Sequence, residues 1–259
     1  MAVPVPSDRL TMATTIQNII DYSLTYIQYS PLAVGTGNQP AIGIANENQF
    51  LITSAPFTWG WNRNETGPTN NPQSTTPGVQ DYVFPITDFG FLEKVSLADP
   101  NGKVFEVLNV YNTAALAIAD TSVNKRARPE SAAVISVNYG TSFKLRFIAV
   151  PDQVYQINLT YQKLVVPMTT LTGPTGTWII PDQYQDIYAN LFLADALSVV
   201  DDVREAAYRQ RGVTALLSKA EGLDDMTKNA FLDMYWSRHG RPDLGGPLRT
   251  QQGVQSRGV

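Results

Sequence analysis

The sequence contains no cysteine and a single histidine, His239. The first absence excludes disulfide frameworks, thiolate-ligated zinc and thiol catalysis. The second excludes paired-histidine metal sites and any Ser-His-Asp relay away from His239. Charge is also scarce: only 16% of the 259 residues are Asp, Glu, Lys or Arg, against roughly 25% in an average soluble protein. The net charge of −4 excludes capture of nucleic acid by bulk basicity. Apolar runs stop far short of the ~20 residues that span a bilayer. The opening MAVPVPSDRL lacks a basic stretch leading into an apolar one, so a soluble chain without a secretory signal is expected. A chain poor in charge but carrying 12 tyrosines suits burial against neighbours better than life as a freely solvated enzyme.

What is present is a 43% apolar content, enough for a sizeable core, in two kinds of period. Thr14 and Gln17 fit a capping box ahead of Ile16, Ile19, Ile20, Leu24 and Ile27, which recur at helical spacing. That helix should end at Ser30-Pro31 and a turn around Gly35 and Gly37. A second helix is expected from near Asn38, with Pro40 in its first turn and Ala41, Ile44, Ala45, Leu51 and Ile52 inward, until Pro56 bars it. Residues 66–78, TGPTNNPQSTTPG, read as a polar loop. The period then falls to two. Strands are expected at 79–84, 91–97, 103–108, 134–139, 143–147 and through Tyr155, Ile157, Leu159 and Tyr161. Residues 112–120 fit a short helix or a strand.

From Pro181 the period returns to 3.6, with Tyr184, Ile187, Tyr188, Leu191 and Phe192 on one face. Asp202 and Glu205 fit a second capping box, opening a helix over 203–220 that Gly222 ends. A last helix carries Met226, Ala230, Phe231, Met234 and Tyr235 and stops at Gly240. The expected fold is α+β: a helical bundle of N-terminal and C-terminal helices (1–65 and 177–240), an inserted antiparallel β-domain (66–176) and an extended C-terminal tail (241–259).

The chemical inventory is thin. His239 beside Arg238 reads as a helix-end complement to the dipole. Gly173 to Gly176 precedes Trp178 and Pro181 and reads as a turn, not a phosphate cradle. The pairs Asp201-Asp202 and Asp224-Asp225 sit at helix starts, where capping accounts for them. Asn158-Leu-Thr160 matches a glycosylation sequon but falls within a strand. Phe57, Trp59 and Trp61 read as an aromatic joint between the second helix and the sheet; a stacking platform for sugars or bases is the alternative. Lys125, Arg126 and Arg128 form either a solvated loop or a contact to an acidic partner or nucleic-acid backbone. The tail carries scattered apolar residues, Leu244, Leu248 and Val254, among Arg241, Arg249 and Arg257. It is either disordered or orders by docking in a partner's groove.

QPAIGIANENQFLITSAPFTWGWNRN, GVQDYVF, RARP, VPDQVYQINLTYQK and IPDQYQDIYANLFLADAL, with YRQR and FLDMYW beyond, resemble the head-to-tail connector proteins of tailed bacteriophages. These are the neck or portal-adaptor proteins, related to the tubular adaptors of short-tailed phages, and the resemblance spans residues 14–236. It implies a structural virion protein with no enzymatic activity and no cofactor or metal. It implies a ring, commonly dodecameric, beneath the portal protein in the virion neck, assembled in the host cytoplasm and without membrane contact. The helical part would face the portal and the β-part the next tail or nozzle protein. Double-stranded DNA would pass non-specifically through the bore during ejection, which suits a chain without phosphate-binding stripes. The tail, with Arg241, Leu244, Leu248, Arg249, Val254 and Arg257, would grip the portal, and Lys125, Arg126 and Arg128 would contact a partner. Neighbouring expectations are a tail terminator or head-completion protein, or a β-sandwich carbohydrate-binding tail module using Trp59 and Trp61. A depolymerase using Asp201, Asp202, Asp224 and Asp225 is more distant.

Overall fold

The computed structural model describes residues 14–24, 40–67, 73–109, 126–199 and 202–239, which form an α+β fold of five α-helices and a curled mixed sheet. Helix α1 (Ile16–Leu24) begins one residue later than the capping box at Thr14 suggests. Thr15 is the cap, its hydroxyl oxygen accepting from the Asn18 N–H at 3.2 Å. Thr14 is engaged elsewhere: its hydroxyl donates to Asp182 Oδ1 at 3.0 Å and its carbonyl accepts from the Trp178 N–H at 3.1 Å. Those long-range partners tie the start of α1 to the segment ahead of the C-terminal helices. Helix α2 (Ala41–Thr53) has Pro40 at its N-cap and stops at Ser54, ahead of Pro56.

The C-terminal helices are α3 (Gln185–Ser198), α4 (Glu205–Lys219) and α5 (Asp225–His239). The second expected capping box also dissolves. Asp202 accepts from the backbone N–H and the guanidinium of Arg204, while the Glu205 side chain turns to Arg209. Asp224 does cap α5, accepting from the Thr227 N–H at 2.6 Å. On α5 only Phe231 and Tyr235 are buried; Met226 and Met234 are 81% and 48% exposed, against expectation. Those methionines lie on a row adjacent to Phe231 and Tyr235, and residue spacing alone does not say which of two neighbouring apolar rows meets the core.

One apolar cluster draws on all five helices: Ile16, Ile19 and Ile20 of α1, Ile44 and Ile52 of α2, Leu191 and Phe192 of α3, Leu216 of α4 and Phe231 of α5. Phe57, Trp59 and Trp178 fill the space between them. Helices α3 and α4 meet where Gly212 lies against Leu191. A Cβ at Gly212 would sit 2.7 Å from Leu191 Cγ and 3.1 Å from its backbone nitrogen. No helix among the described residues is long and apolar enough to cross a membrane.

The sheet comprises β1 (Arg63–Thr66), β2 (Gln73–Ser74), β3 (Asp81–Phe84), β4 (Phe89–Ala98), β5 (Val104–Asn109), β6 (Ser131–Asn138), β7 (Ser142–Ile148) and β8 (Gln156–Lys163). Its order is β1-β8-β4-β5-β6-β7-β3, with β2 also on β8. Among the described strands the expectation of an antiparallel domain fails where β5 and β6 run parallel, Leu108 opposite Ser131 and Asn109 opposite Ala132. Alternation within a strand reports its faces and is silent on the direction of its neighbour. The segment expected to be only polar loop, 66–78, contains the end of β1 and all of β2. Both pair with β8 through backbone groups, which a polar composition does not reveal.

The sheet curls until its ends approach, Gln73 Nε2 of β2 donating to the Val83 carbonyl of β3 at 3.3 Å. Alternate residues point inward to a second cluster. Phe143 stands between Phe89 and Phe84 at ring separations of 3.8 and 5.1 Å, with Leu145, Phe147 and Ile157 around them. Several sequence readings, including Ile27, the turn at Gly35, residues 112–120 and the tail, lie outside the described residues.

Replacing Gly212 with Ala forces a methyl into the α3–α4 contact. We expect a loss of about 1–3 kcal/mol, the usual range for overpacking, measured by urea denaturation; an unchanged midpoint would show that the two helices part without cost.

Candidate functional site

Arg209 on α4 is a charged side chain held almost fully inside the helical region, 3% exposed. Its Nη1 lies 2.8 Å from Asp195 Oδ1 of α3 and donates to the Tyr235 hydroxyl of α5 at 3.2 Å. Its Nη2 and Nε donate to Glu205 Oε1 at 2.7 and 3.0 Å. Asn48 of α2 donates to the other oxygen of Asp195 at 2.8 Å. Three helices therefore meet on one guanidinium, and α2 joins them through Asp195. Burial opposes its charge, but Asp195, the Tyr235 hydroxyl and Glu205 outweigh that cost, and its pKa rises above the ordinary arginine value. Burial likewise raises the Tyr235 hydroxyl, with Arg209 pulling the other way. Each carboxylate here is bound to the guanidinium, so the arrangement ties α3, α4 and α5 together.

His239, the last residue of α5, lays its ring 4.6 Å from that of Tyr235. Partial burial, and then the charge of Arg209, push the imidazole below its usual pKa. The neutral form is thereby favoured, which weakens the expected role as a charged partner for the helix dipole.

A second polar network joins the helices to the sheet. Arg63 of β1 makes a two-pronged contact with Glu93 of β4, at 2.9 and 2.6 Å, and reaches Glu221 beyond α4 at 3.2 Å. Glu221 Oε1 accepts from the Gly60 N–H, and its backbone exchanges hydrogen bonds with Thr58. Gln162 of β8 donates to Glu93 and accepts from the Trp59 N–H. The register of β4 against β8 shifts between Leu92 and Lys94, a bulge at Glu93 of the kind that re-aims a side chain.

The residues singled out from sequence separate clearly. Trp59 is 1% exposed, its Nε1 donates to the Ile52 carbonyl at 2.7 Å, and its ring packs edge-on against Tyr184 at 5.2 Å. With Trp61 it forms an aromatic joint, and Trp59 offers no open face to a sugar. Asn158 lies within β8 opposite Ser96, and Pro174–Gly176 is a single 3-10 turn. Arg126 pairs with Val150 in an isolated parallel bridge. Arg128 lies 3.6 Å from Glu130 and places its guanidinium 4.4 Å from the Phe105 ring, with Lys103 Nζ at 5.1 Å from the same ring. Arg128 is therefore shared between a carboxylate and an aromatic face. Lys125, Asp201 and the tail positions Arg241, Leu244, Leu248, Arg249, Val254 and Arg257 lie outside the described residues.

No protein-family model matches this sequence, and no curated protein matches it. The interpretation of the site therefore rests on its geometry.

Two features escaped the sequence reading. Glu205 and Arg209 are spaced i, i+4, which was a visible signal. Nothing local pointed to Asp195 or Tyr235 as the other partners. Arg63, Glu93 and Glu221 are brought together from positions far apart in the chain, and each alone reads as ordinary surface charge.

Removing one partner of a buried ion network costs about 3–5 kcal/mol. Arg209→Met should lose that much stability by chemical denaturation, and adding Asp195→Asn should recover part of it by removing the stranded carboxylate. A double variant no better than the single one would exclude Asp195 as the main partner.

Acid will also act on the sheet. The Arg146 guanidinium holds the Asp81 carboxyl below its usual pKa. Burial pushes Glu93 upward, but hydrogen bonds from Arg63 and Gln162 bring it below the ordinary value. Both folded pKa values are depressed, so their stabilisation is complete above the unfolded values of about 4 and is lost as pH falls through the folded ones. Asp81→Asn should flatten the decline in unfolding free energy below about pH 4; an unaltered pH profile would remove Asp81 from the linkage.

Proposed function

We propose that this chain is a structural virion protein, the subunit of a head-to-tail adaptor ring in the neck of a tailed bacteriophage. The observation that carries this reading is the sharing of one apolar cluster by helices from both halves of the chain, while the sheet keeps a cluster of its own. In this reading the five helices form a bundle interrupted by the β-part, and the two parts meet different partners. The bundle takes the portal protein and the neighbouring subunits. The sheet takes the tail or nozzle protein below.

The low charge of the chain supports the same reading, because lateral faces in a ring are buried on both sides of every subunit. A net charge of −4 spares the DNA channel the phosphate contacts that would hold the duplex in place. Arg209 holds α5 against the other helices close to the point where the chain leaves for residues 241–259. In this reading residues 241–259 add a second attachment to the portal by raising its effective concentration there.

Deleting residues 241–259 should leave a folded protein, with unchanged circular dichroism, that no longer co-purifies with portal rings. Undiminished co-purification would remove the tail from the proposal. Electron microscopy of the full chain with its portal tests the function itself: a ring beneath the portal is expected. A ring at the distal end of a tail tube would assign a terminator instead, and the absence of any ring would overturn the adaptor reading.

A further inference from the structure

The tip of the β4–β5 hairpin is a tight turn, Asp99-Pro100-Asn101-Gly102, closed by the Gly102 N–H donating to the Asp99 carbonyl at 2.9 Å. Asp99 holds the turn twice more. Its Oδ1 accepts from the backbone N–H of Asn101 at 2.9 Å and from that of Lys103 at 2.8 Å. Three consecutive backbone donors thus end on one residue. Gly102 sits at φ 80°, which glycine adopts freely, and a Cβ there would meet nothing within 4 Å. Asn101, Gly102 and Lys103 are all exposed, so water has access to the turn.

Asn101 is the only asparagine in the sequence that is followed by glycine. With no side chain on the following residue, the next backbone nitrogen is unshielded and within reach of the asparagine amide carbon. Asp99 has no such route, because the next nitrogen belongs to Pro100 and carries no proton to lose.

We infer that Asn101 is a site of spontaneous modification, converting to aspartate and isoaspartate, and that the Asp99 clamp sets its rate. The Gly102 nitrogen gives its proton to solvent base and attacks Asn101 Cγ. A new bond forms between that nitrogen and Cγ, and the bond from Cγ to the side-chain nitrogen breaks. The departing nitrogen takes a proton from water and leaves as ammonia, and the ring left behind is a succinimide. Water then adds to one of the two ring carbonyls. Opening at Cγ gives aspartate; opening at the main-chain carbon gives isoaspartate, in which the backbone runs through the former side chain.

The clamp opposes the first step. The attacking nitrogen is tied to the Asp99 carbonyl, and the donors on either side of it are tied to the Asp99 carboxylate. It swings towards Cγ only when the turn opens, so the rate is that of a free peptide scaled by the open fraction. Hydrogen bonds to an ionised acceptor are the stronger kind, which makes the carboxylate the main restraint. Both products place a new negative charge two residues from Lys103, whose ammonium shares the Phe105 ring with Arg128. Isoaspartate also adds a carbon to the backbone of the turn, next to the last pairing of β4 with β5, Ala98 opposite Val104. The inference is independent of the adaptor reading, since it needs only this hairpin.

The full chain, held at mildly alkaline pH either folded or in concentrated urea and mapped by peptide mass spectrometry, provides the test. In urea Asn101 should convert ahead of every other asparagine, and in the folded chain it should convert about tenfold or more slowly than in urea. Asp99→Ala, with unchanged circular dichroism, should restore about a tenfold faster conversion at Asn101, and Asn101→Gln should abolish it there. Hydrogen exchange of the wild-type Gly102 amide reports the same opening without any substitution, and its protection should match the slowing at Asn101. Another asparagine converting first in urea would overturn the site. Equal rates in the folded and urea-treated chains, or in folded wild type and Asp99→Ala, would overturn the clamp, as would a Gly102 amide that exchanges without protection.

Discussion

A short amphipathic helix has nowhere to bury its apolar stripe except against another element. Helix α1, with Ile16, Ile19 and Ile20 fully inward, is only nine residues long and depends wholly on partners outside itself. Those partners include α2 and, through Thr14, Asp182 and Trp178, the segment ahead of the C-terminal helices. The chain therefore has to return to where it began after building the whole sheet. That requirement shapes everything else: it separates two apolar clusters, creates two chain crossings between helices and sheet, and concentrates polar contacts at the joint.

The polar networks divide the work. Arg209 sets the angles at which α3, α4 and α5 meet, because a buried guanidinium with two carboxylates and a phenol tolerates little displacement of any partner. Arg63, Glu93, Gln162 and Glu221 do the same between helices and sheet. Unlike an apolar contact, each of these bonds has a direction, so together they specify an orientation that hydrophobic burial alone leaves degenerate. A protein that transmits mechanical load between two partners benefits from that rigidity, and the adaptor reading gives it a purpose.

The outer surface completes the picture. The buried face of α5 is narrow, and its second apolar row faces outward above two carboxylates. Gly212 lets α3 and α4 approach closely, because a side chain there would run into Leu191.

Much of this was legible beforehand. The helical period around Ile16 and Ile187, and the alternation through Phe143, Leu145 and Phe147, report which residues turn inward, because that pattern is local. The bland readings of the tryptophans and of Asp224 also followed from neighbours in the chain. What tertiary structure alone decided is where direction or distant partners matter. The parallel pairing of β5 with β6, the strands hidden in polar sequence, the choice of Thr15 over Thr14 as cap, and the outward turn of Met226 and Met234 all depend on contacts far along the chain. Sequence period determines which face of an element is apolar; only the assembled fold determines which face is met, since that depends on what else competes for the same burial.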